Sequence, residues 1–406
     1  MVRMPGLTVL GDGLGRLSER LERARDKVGA PDSTAFPSRL HDSAIAARLG
    51  AALAVTFTLC FLTGLVSHYM QEPPSWASWP SRPVNLFRLN QGLHVLSGIA
   101  SVPLLLAKLW TVYPQLFQRP ALRSVGHGLE RAFVLLLVGG AIFQLVTGLI
   151  NIASFYPFGF SFRAKHFAVA FVTYGALLIH VAHKIHIART QFATPLPRER
   201  SDRGLTRRGF LAVTGGGSAL LVVGSIGQTV GLPSGWARWL SPFASHLPDI
   251  GPQSLPVRTP AVSAGVAEAA VDPAYRLVVT GAVERDMSFT VADLAALPQT
   301  TARLPIACVE GWSAVATWTG VALVDLLAYA GATAPTEVRV VSLQKGSAYS
   351  QSLLRAPHVN DPLTLLAIAI DGEPLHVDHG YPCRLIAPNR PGVLQTKWIT
   401  RVEVLA

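Results

Sequence analysis

Five stretches free of Asp, Glu, Lys and Arg follow one another in the first 237 residues: Leu49–Gln71, Leu89–Ala107, Ala132–Phe162, His166–His183 and Gly209–Ala237. A helix of roughly 20 residues crosses a hydrocarbon core of about 30 Å, so each stretch predicts a membrane span. The third is longer than one span needs, and Asn151–Phe160, with Pro157 and Gly159, reads as its exit loop. Five such runs in succession are hard to hide in the core of a water-soluble protein. Of the 406 residues only 15% are charged, against about a quarter in soluble domains. That excludes disorder, and three cysteines exclude a disulfide-stapled scaffold.

Charge sets the expected orientation. Residues 1–208 carry 23 Lys and Arg against 10 Asp and Glu, whereas residues 209–406 carry 12 against 14. The cations occupy short connections rather than one folded face, which argues for a membrane and against nucleic acid. The tail to Arg48 and the connections 108–131 and 184–208 hold 19 Lys and Arg; the alternate connections 67–90 and 151–165 hold four. The positive-inside rule places the N-terminus in the cytoplasm, with everything after about residue 232 outside it. Trp76, Trp79 and Tyr156 then sit in outer loops as interfacial anchors. The fifth stretch opens on Thr206-Arg207-Arg208-Gly209-Phe210-Leu211 and is glycine-rich. It resembles a twin-arginine export signal retained as an anchor, which implies export of an already folded domain.

Ionisable side chains at membrane depth are costly and mark function. His166 and His180 are fourteen residues apart, 40° short of four full turns, so their rings leave one helix face about 21 Å apart. His94 lies one turn into the second stretch, at the outer depth of His166. Two imidazoles on facing helices at one depth can clamp a haem iron, and two such sites would conduct electrons across the bilayer. This part resembles the two-haem cytochrome b subunits of formate dehydrogenases and hydrogenases, over about residues 39–188. The resemblance implies haem b, one or two, with His94, His166 and His180 as iron ligands and His41 as the least securely matched. His127 and His68 are weaker substitutes for His41; His183 and His186 read as interfacial.

Residues 233–274, rich in Pro, Ser and Ala, read as a linker. Beyond it, Tyr275–Gly281, Val338–Leu343, Cys383–Ala387 and Trp398–Leu405 predict strands. Phe289–Leu297 predicts a short helix opened by Thr290, and Leu323–Gly331 a helix stopped by its glycine. The pattern is that of a compact α+β domain with a mixed sheet. Within it, Cys308 stands between a strand-like run and a glycine-containing turn. A soft thiolate suits a soft or high-valent metal; a buried apolar Cys or a disulfide to Cys383 are the other readings.

Cys308-Val309-Glu310-Gly311-Trp312-Ser313, then Trp318-Thr319-Gly320, resembles the metal loop of the sulfite-oxidase-fold molybdopterin oxidoreductases. His379-Gly380-Tyr381-Pro382-Cys383-Arg384-Leu385-Ile386-Ala387-Pro388 and Gln395-Thr396-Lys397-Trp398 resemble the same family's pterin-binding end. The resemblance covers about residues 275–406. It implies a molybdenum–molybdopterin cofactor, Cys308 as metal ligand, and Arg384 and Lys397 as partners of the cofactor phosphate. Asn389, Gln395 and Thr396 join the expected cofactor-binding set. The wording is closest to the periplasmic methionine-sulfoxide reductase catalytic subunits, because Glu310 and Trp312 stand where sulfite oxidases place arginines. The domain is short for the family, so its pocket is expected to be open or completed by the 233–274 stretch.

The expected architecture is therefore multi-domain. A cytoplasmic basic tail (1–38) precedes an all-α transmembrane four-helix haem bundle (39–188). A twin-arginine loop and fifth anchor helix (189–232) and the linker (233–274) lead to an extracytoplasmic α+β sulfite-oxidase-like molybdopterin domain (275–406). The expected function is a bacterial cytoplasmic-membrane oxidoreductase coupling the quinone pool, through haem b, to oxygen-atom transfer at molybdenum. Its substrate would be an S-oxide or N-oxide, small or protein-bound, lined by Glu310 and Trp312. A sulfite-type dehydrogenase running inward and a non-catalytic haem relay or sensor are the alternatives.

Overall fold

The computed structural model describes residues 5–120, 122–197, 204–231, 234–244, 246 and 250–405. Residues 198–203 of the twin-arginine connection and 232–233, 245 and 247–249 of the expected linker lie outside the described residues. The chain divides into two compact units. One comprises Met1–Phe61, Ser97–Asn151 and Phe155–Val222; the other comprises Leu62–Leu96, Ile152–Ser154 and Val223–Ala406.

The first unit is helical. Helix α1 (Pro5–Lys27) is followed by α2 (Ser43–Gln71), α3 (Leu86–Val112), α4 (Val125–Ile152), α5 (Phe162–Ala193) and α6 (Arg207–Val223). Four helical stretches, Ser43–Gln71, Leu86–Phe117, Val125–Ile152 and Phe162–Ala193, are long and apolar enough to cross a membrane. Within this unit Ile45, Leu49 and Leu53 pack with Leu104, Leu105 and Ala141, while Leu106, Leu135 and Leu178 stay exposed. Such an outward apolar face is what lipid would cover. Asp42 caps α2 by accepting from the backbone N–H of Ala44 at 2.7 Å, and its other oxygen pairs with Arg207 at 2.9 Å. The tail expected to be no more than basic thus contains a helix, and Arg207 of the export-like motif is engaged in the folded protein.

The fifth apolar stretch does not form one helix over 209–237. α6 spans 17 residues and stops at Val223; α7 (Ile226–Val230) and α8 (Ser234–Trp239) follow as separate pieces. Glycine-rich sequence propagates a helix poorly. Gly227 also donates to the Leu240 carbonyl at 2.8 Å, which turns the chain back on itself.

The second unit is built on two five-stranded sheets. One contains β1 (Leu277–Gly281), β2 (Met287–Phe289), β5 (Glu337–Ser342), β6 (Gln351–Arg355) and β10 (Ile399–Val404), in the order β2-β1-β10-β5-β6. The other contains β3 (Thr300–Ala307), β4 (Ser313–Ala322), β7 (Leu365–Ile370) and β8 (Glu373–Pro374) in that order, with β9 (Arg384–Ile386) also on β7. β1 and β10 run parallel; the other pairs are antiparallel. Short helices α9 (Ala267–Val271), α10 (Val291–Ala296), α11 (Leu323–Tyr329) and α12 (Ala356–Val359) complete it. α10 starts where the sequence asks: Thr290 accepts from the Asp293 N–H while Asp293 accepts from the Thr290 N–H, a capping box. Leu277, Val279, Leu323, Leu326, Val340, Leu385 and Ile399 fill the core beside the first sheet.

The expected linker is part of this unit. Leu255 joins the core that holds Cys308 and Trp318, and Ala261, Val266 and Ala270 pack around Trp398. Small apolar residues bury without the long hydrophobic runs that announce a strand, so composition alone reads them as a tether. Leu255→Ala is expected to cost about 2–5 kcal/mol, as for a large-to-small core change. Denaturant unfolding checks this, since a tether residue would leave the midpoint unchanged.

Candidate functional site

β3 and β4 are adjacent antiparallel strands registered from Thr300 opposite Gly320 to Ala307 opposite Ser313, and Cys308–Trp312 is the turn between them. The turn is closed twice. The Cys308 N–H donates to the Trp312 carbonyl at 2.9 Å, and the Gly311 N–H donates to the Cys308 carbonyl at 3.1 Å. Gly311 adopts φ +96°, and a Cβ there would meet Val95 at 2.8 Å, so both backbone and space require glycine. The result is a thiol held on a rigid turn.

Glu310 is almost fully buried, at 1% exposure, beside that thiol. Cys308 Sγ donates to its carboxylate at 3.6 Å and Trp312 Nε1 at 3.3 Å. Arg258 forms an ion pair with the other oxygen, and His246 approaches at 3.9 Å. The three side chains singled out in the sequence, Cys308, Glu310 and Trp312, are in contact; Arg258 and His246, which the sequence reading did not single out, join them. Arg258 was detectable as the lone charge between Ile250 and Ala267. Burial, followed by the nearby carboxylate, pushes the Cys308 thiol well above its ordinary value. A thiol so placed becomes a thiolate when a metal cation replaces its proton. Cys308, Cys383 and Cys60 are all free thiols, so no Cys308–Cys383 disulfide forms.

A second cluster lies at β9. Arg384 is buried; one Nη donates to the His379 carbonyl at 2.9 Å and the other to the Gln395 carbonyl at 3.3 Å. Its Nε has no hydrogen-bond partner, and its guanidinium lies 5.0 Å from the Trp318 ring centre. Among the described residues no carboxylate pairs with it. Lys397 donates to the carbonyls of Thr259 and Asp378, at 2.6 and 2.9 Å. Gly380, at φ +109°, lies where a Cβ would meet the Cβ atoms of Arg384 and Lys397 at 3.0 and 3.1 Å, so its lack of a side chain lets the two cations converge. Burial pulls Arg384 down to about 9; burial and then Arg384 pull Lys397 down to about 7. Burial likewise holds His379 down near 4, its Nε2 lying 2.6 Å from the Pro252 carbonyl. Buried cations without a counter-ion suit an anionic group such as a phosphate.

The other expected cofactor residues have structural partners. Asn389 accepts from the Phe87 N–H and donates to the Pro80 carbonyl, both at 2.7 Å, clamping the 80–87 segment. Gln395 exchanges hydrogen bonds with the Ala387 backbone, and Thr396 with the Ser352 hydroxyl at 2.7 Å. Their amide and hydroxyl groups are occupied by the fold.

The expected haem histidines divide between the units. His94 belongs to the second, its ring against Gly64. His166, His180 and His41 belong to the first. The Thr147 hydroxyl lies 2.9 Å from His166 Nδ1, and the Thr111 carbonyl 3.3 Å from His41 Nδ1. Among the described residues no three His, Cys, Asp or Glu side chains gather as a metal site.

Residues 264–406 match the oxidoreductase molybdopterin binding domain family, and this part of the chain is a molybdopterin-binding oxidoreductase domain. A protein from Azospira oryzae with the provisional name of a protein-methionine-sulfoxide reductase subunit is 32% identical, over 32% of this chain and 48% of its own length. The protein-methionine-sulfoxide reductase catalytic subunit of Gluconobacter oxydans is 28% identical, over 54% of this chain and 76% of its own. Mitochondrial sulfite oxidase from Rattus norvegicus is 32% identical, over 33% of this chain and 30% of its own. The chain thus spans about half or less of the first and third.

The residues fit the cofactor. Cys308 would ligate the metal, and Arg384 and Lys397 would hold the phosphate. Arg384→Met should cut the molybdopterin content of purified protein by about tenfold or more, since it removes a charge-assisted partner; unchanged content would rule that role out. Lys397 gives a pH test. Between pH 7 and its ordinary 10.5 the unfolded chain holds a proton that the folded, cofactor-free chain has lost. Stability of the cofactor-free protein therefore rises with pH across that window, and between pH 7 and 9, before Arg384 and Arg390 titrate, the slope is smaller in Lys397→Met.

Proposed function

We propose that the chain is a membrane-bound molybdopterin oxidoreductase that reduces S-oxides or N-oxides outside the bacterial cytoplasmic membrane with electrons from quinol. The observation that carries the reading is a thiol on a twice-closed turn in the same unit as a buried, uncompensated guanidinium. Two relatives named as methionine-sulfoxide reductase subunits support the choice of substrate. The four long apolar helices support the anchor, and the positive-inside count supports a cytoplasmic N-terminus. The twin-arginine sequence Arg207-Arg208 would then serve export before Arg207 settles against Asp42.

The reaction converts a sulfoxide, two protons and two electrons into the corresponding thioether and water. The molybdenum cofactor, when bound, supplies the two-electron oxygen-atom chemistry. The protein supplies placement. Cys308 fixes the metal, Trp312 and Glu310 wall the site, and Arg258 neutralises Glu310. Arg384 and Lys397 anchor the phosphate.

Haem b would carry single electrons from the quinone pool, with His94, His166, His180 and His41 as its expected iron ligands. The contact at Thr147 supports His166 in that role, because a ligating imidazole is oriented through its other nitrogen. Similarity to sulfite oxidase supports one rival, a dehydrogenase sending electrons inward.

Dithionite-reduced, detergent-purified protein should be reoxidised by methionine sulfoxide, with Cys308→Ser slower by at least ~100-fold. Reduction of the resting protein by sulfite, with no response to any oxide, would favour the dehydrogenase. His94→Ala or His166→Ala should remove a b-type absorption spectrum; a spectrum kept in both variants contradicts the ligand assignment.

A further inference from the structure

Beside the metal turn lies a cleft lined by Phe87, Arg88, Pro305, Ala307 and Arg390. Ala307 immediately precedes Cys308, and Gly392 packs against both: a Cβ there would meet the Ala307 carbonyl at 2.8 Å and Cys308 Cα at 3.6 Å. The cleft is tight, and one of its lining residues, Ala307, is the chain neighbour of Cys308.

Its charge is one-sided. Arg88, in the first turn of α3, lies within electrostatic reach of Arg303 on β3. Arg390 is buried and donates only to backbone carbonyls, of Leu394 at 3.1 Å and Leu353 at 2.9 Å. Burial brings it down to about 10, so it remains a cation. Among the described residues no carboxylate pairs with any of the three. The Nε of Arg88 is out of solvent and has no hydrogen-bond partner, which distinguishes it from an arginine reaching for water at a membrane surface. Ser313 Oγ, 1% exposed at residue level, is unpartnered too. Both flank Gly231, where a Cβ would stand 3.1 Å from Ser313 Oγ and 3.2 Å from Arg88 Nη1. Arg390 is buried, Arg88 half-buried and Arg303 exposed; like charges gathered beside idle buried donors are stabilised by an anion.

The other side of the turn has the opposite character. Cys308 Sγ is 3.6 Å from the buried carboxylate of Glu310. The cation on that side, Arg258, is already paired with Glu310, so an anionic reacting end would gain nothing from it. A substrate with a neutral S-oxide end and a separate anionic end would satisfy both halves.

We propose that Arg88, Arg303 and Arg390, with Ser313, form a subsite for the carboxylate of a small S-oxide whose neutral oxide end reaches the metal beside Cys308. The inference rests on the reductase reading and deepens it by naming the substrate class. Arg88 lies at the start of α3, in the part of that helix that belongs to the second unit.

The test compares N-acetylmethionine sulfoxide with its neutral amide on the holoenzyme. The carboxylate should be preferred in kcat/KM by about tenfold to a hundredfold, the range of a charge-assisted contact. The preference should collapse toward one in Arg88→Gln, survive in part in Arg88→Lys, and shrink in Arg303→Gln. Equilibrium binding of the thioether products, N-acetylmethionine and its amide, provides a second readout that needs no turnover. If no oxide is reduced yet N-acetylmethionine binds more tightly than its amide through Arg88, the subsite stands and the reductase reading fails. Equal affinity for acid and amide, or a preference untouched by Arg88→Gln, overturns the subsite. So does loss of molybdopterin from Arg88→Gln, which would make Arg88 a cofactor ligand. Arg88-dependent binding of sulfite without binding of N-acetylmethionine would also overturn it.

Discussion

Everything chemical in this chain depends on how the backbone turns between β3 and β4. Eight paired residues bring the strands into register, and the reversal is completed in the four residues after Cys308. Two backbone hydrogen bonds and a left-handed glycine fix the main chain that carries the sulfur, so a metal bound there would start from a fixed backbone position. The same turn carries Glu310 and Trp312 inward. Because Glu310 is buried, it needs a cation, and Arg258 provides it from the stretch that precedes the sheets. The site thus extends beyond the strands that define the domain.

Burial of charge is the second organising feature. Arg384 and Arg390 lie in the interior without carboxylate partners among the described residues, held by backbone carbonyls. A lone buried guanidinium costs free energy unless something anionic completes it. Contrast Arg82 and Asp361, which pair through two hydrogen bonds at 3.0 Å and join the 80–87 segment to the strands. There burial alone would raise the Asp361 carboxyl; the hydrogen bonds it accepts from Arg82 and from the Leu363 N–H overcome that and lower it. One arrangement is complete within the protein, and the other would be completed by an anion.

How far the sequence was legible varies with the kind of signal. Long apolar runs gave four helices, because length and hydropathy are local properties. Thr290 and Asp293 gave the start of α10, and Gly331 the end of α11, because caps are written in single residues. The fifth apolar run misled: α6 runs through Gly215, Gly216 and Gly217 and stops at Val223, just before Gly224, so the run is not one helix. The 233–274 stretch misled in the other direction, since Ala261 and Ala270 pack only because Trp398 is there to cover them. Arg88 looked like a connection residue until the structure set its Nε out of solvent. Asn389 resembled a ligand by its place in a motif, yet its amide holds a loop; side-chain orientation of that kind is a tertiary fact, absent from spacing.

The central claim is that the Cys308 sulfur is bound to molybdenum. X-ray absorption at the molybdenum edge of the purified holoprotein tests it most directly, by the number of sulfur neighbours. The account predicts one sulfur more in the native protein than in a Cys308→Ser variant that retains its pterin. An identical sulfur shell in the two proteins would contradict it.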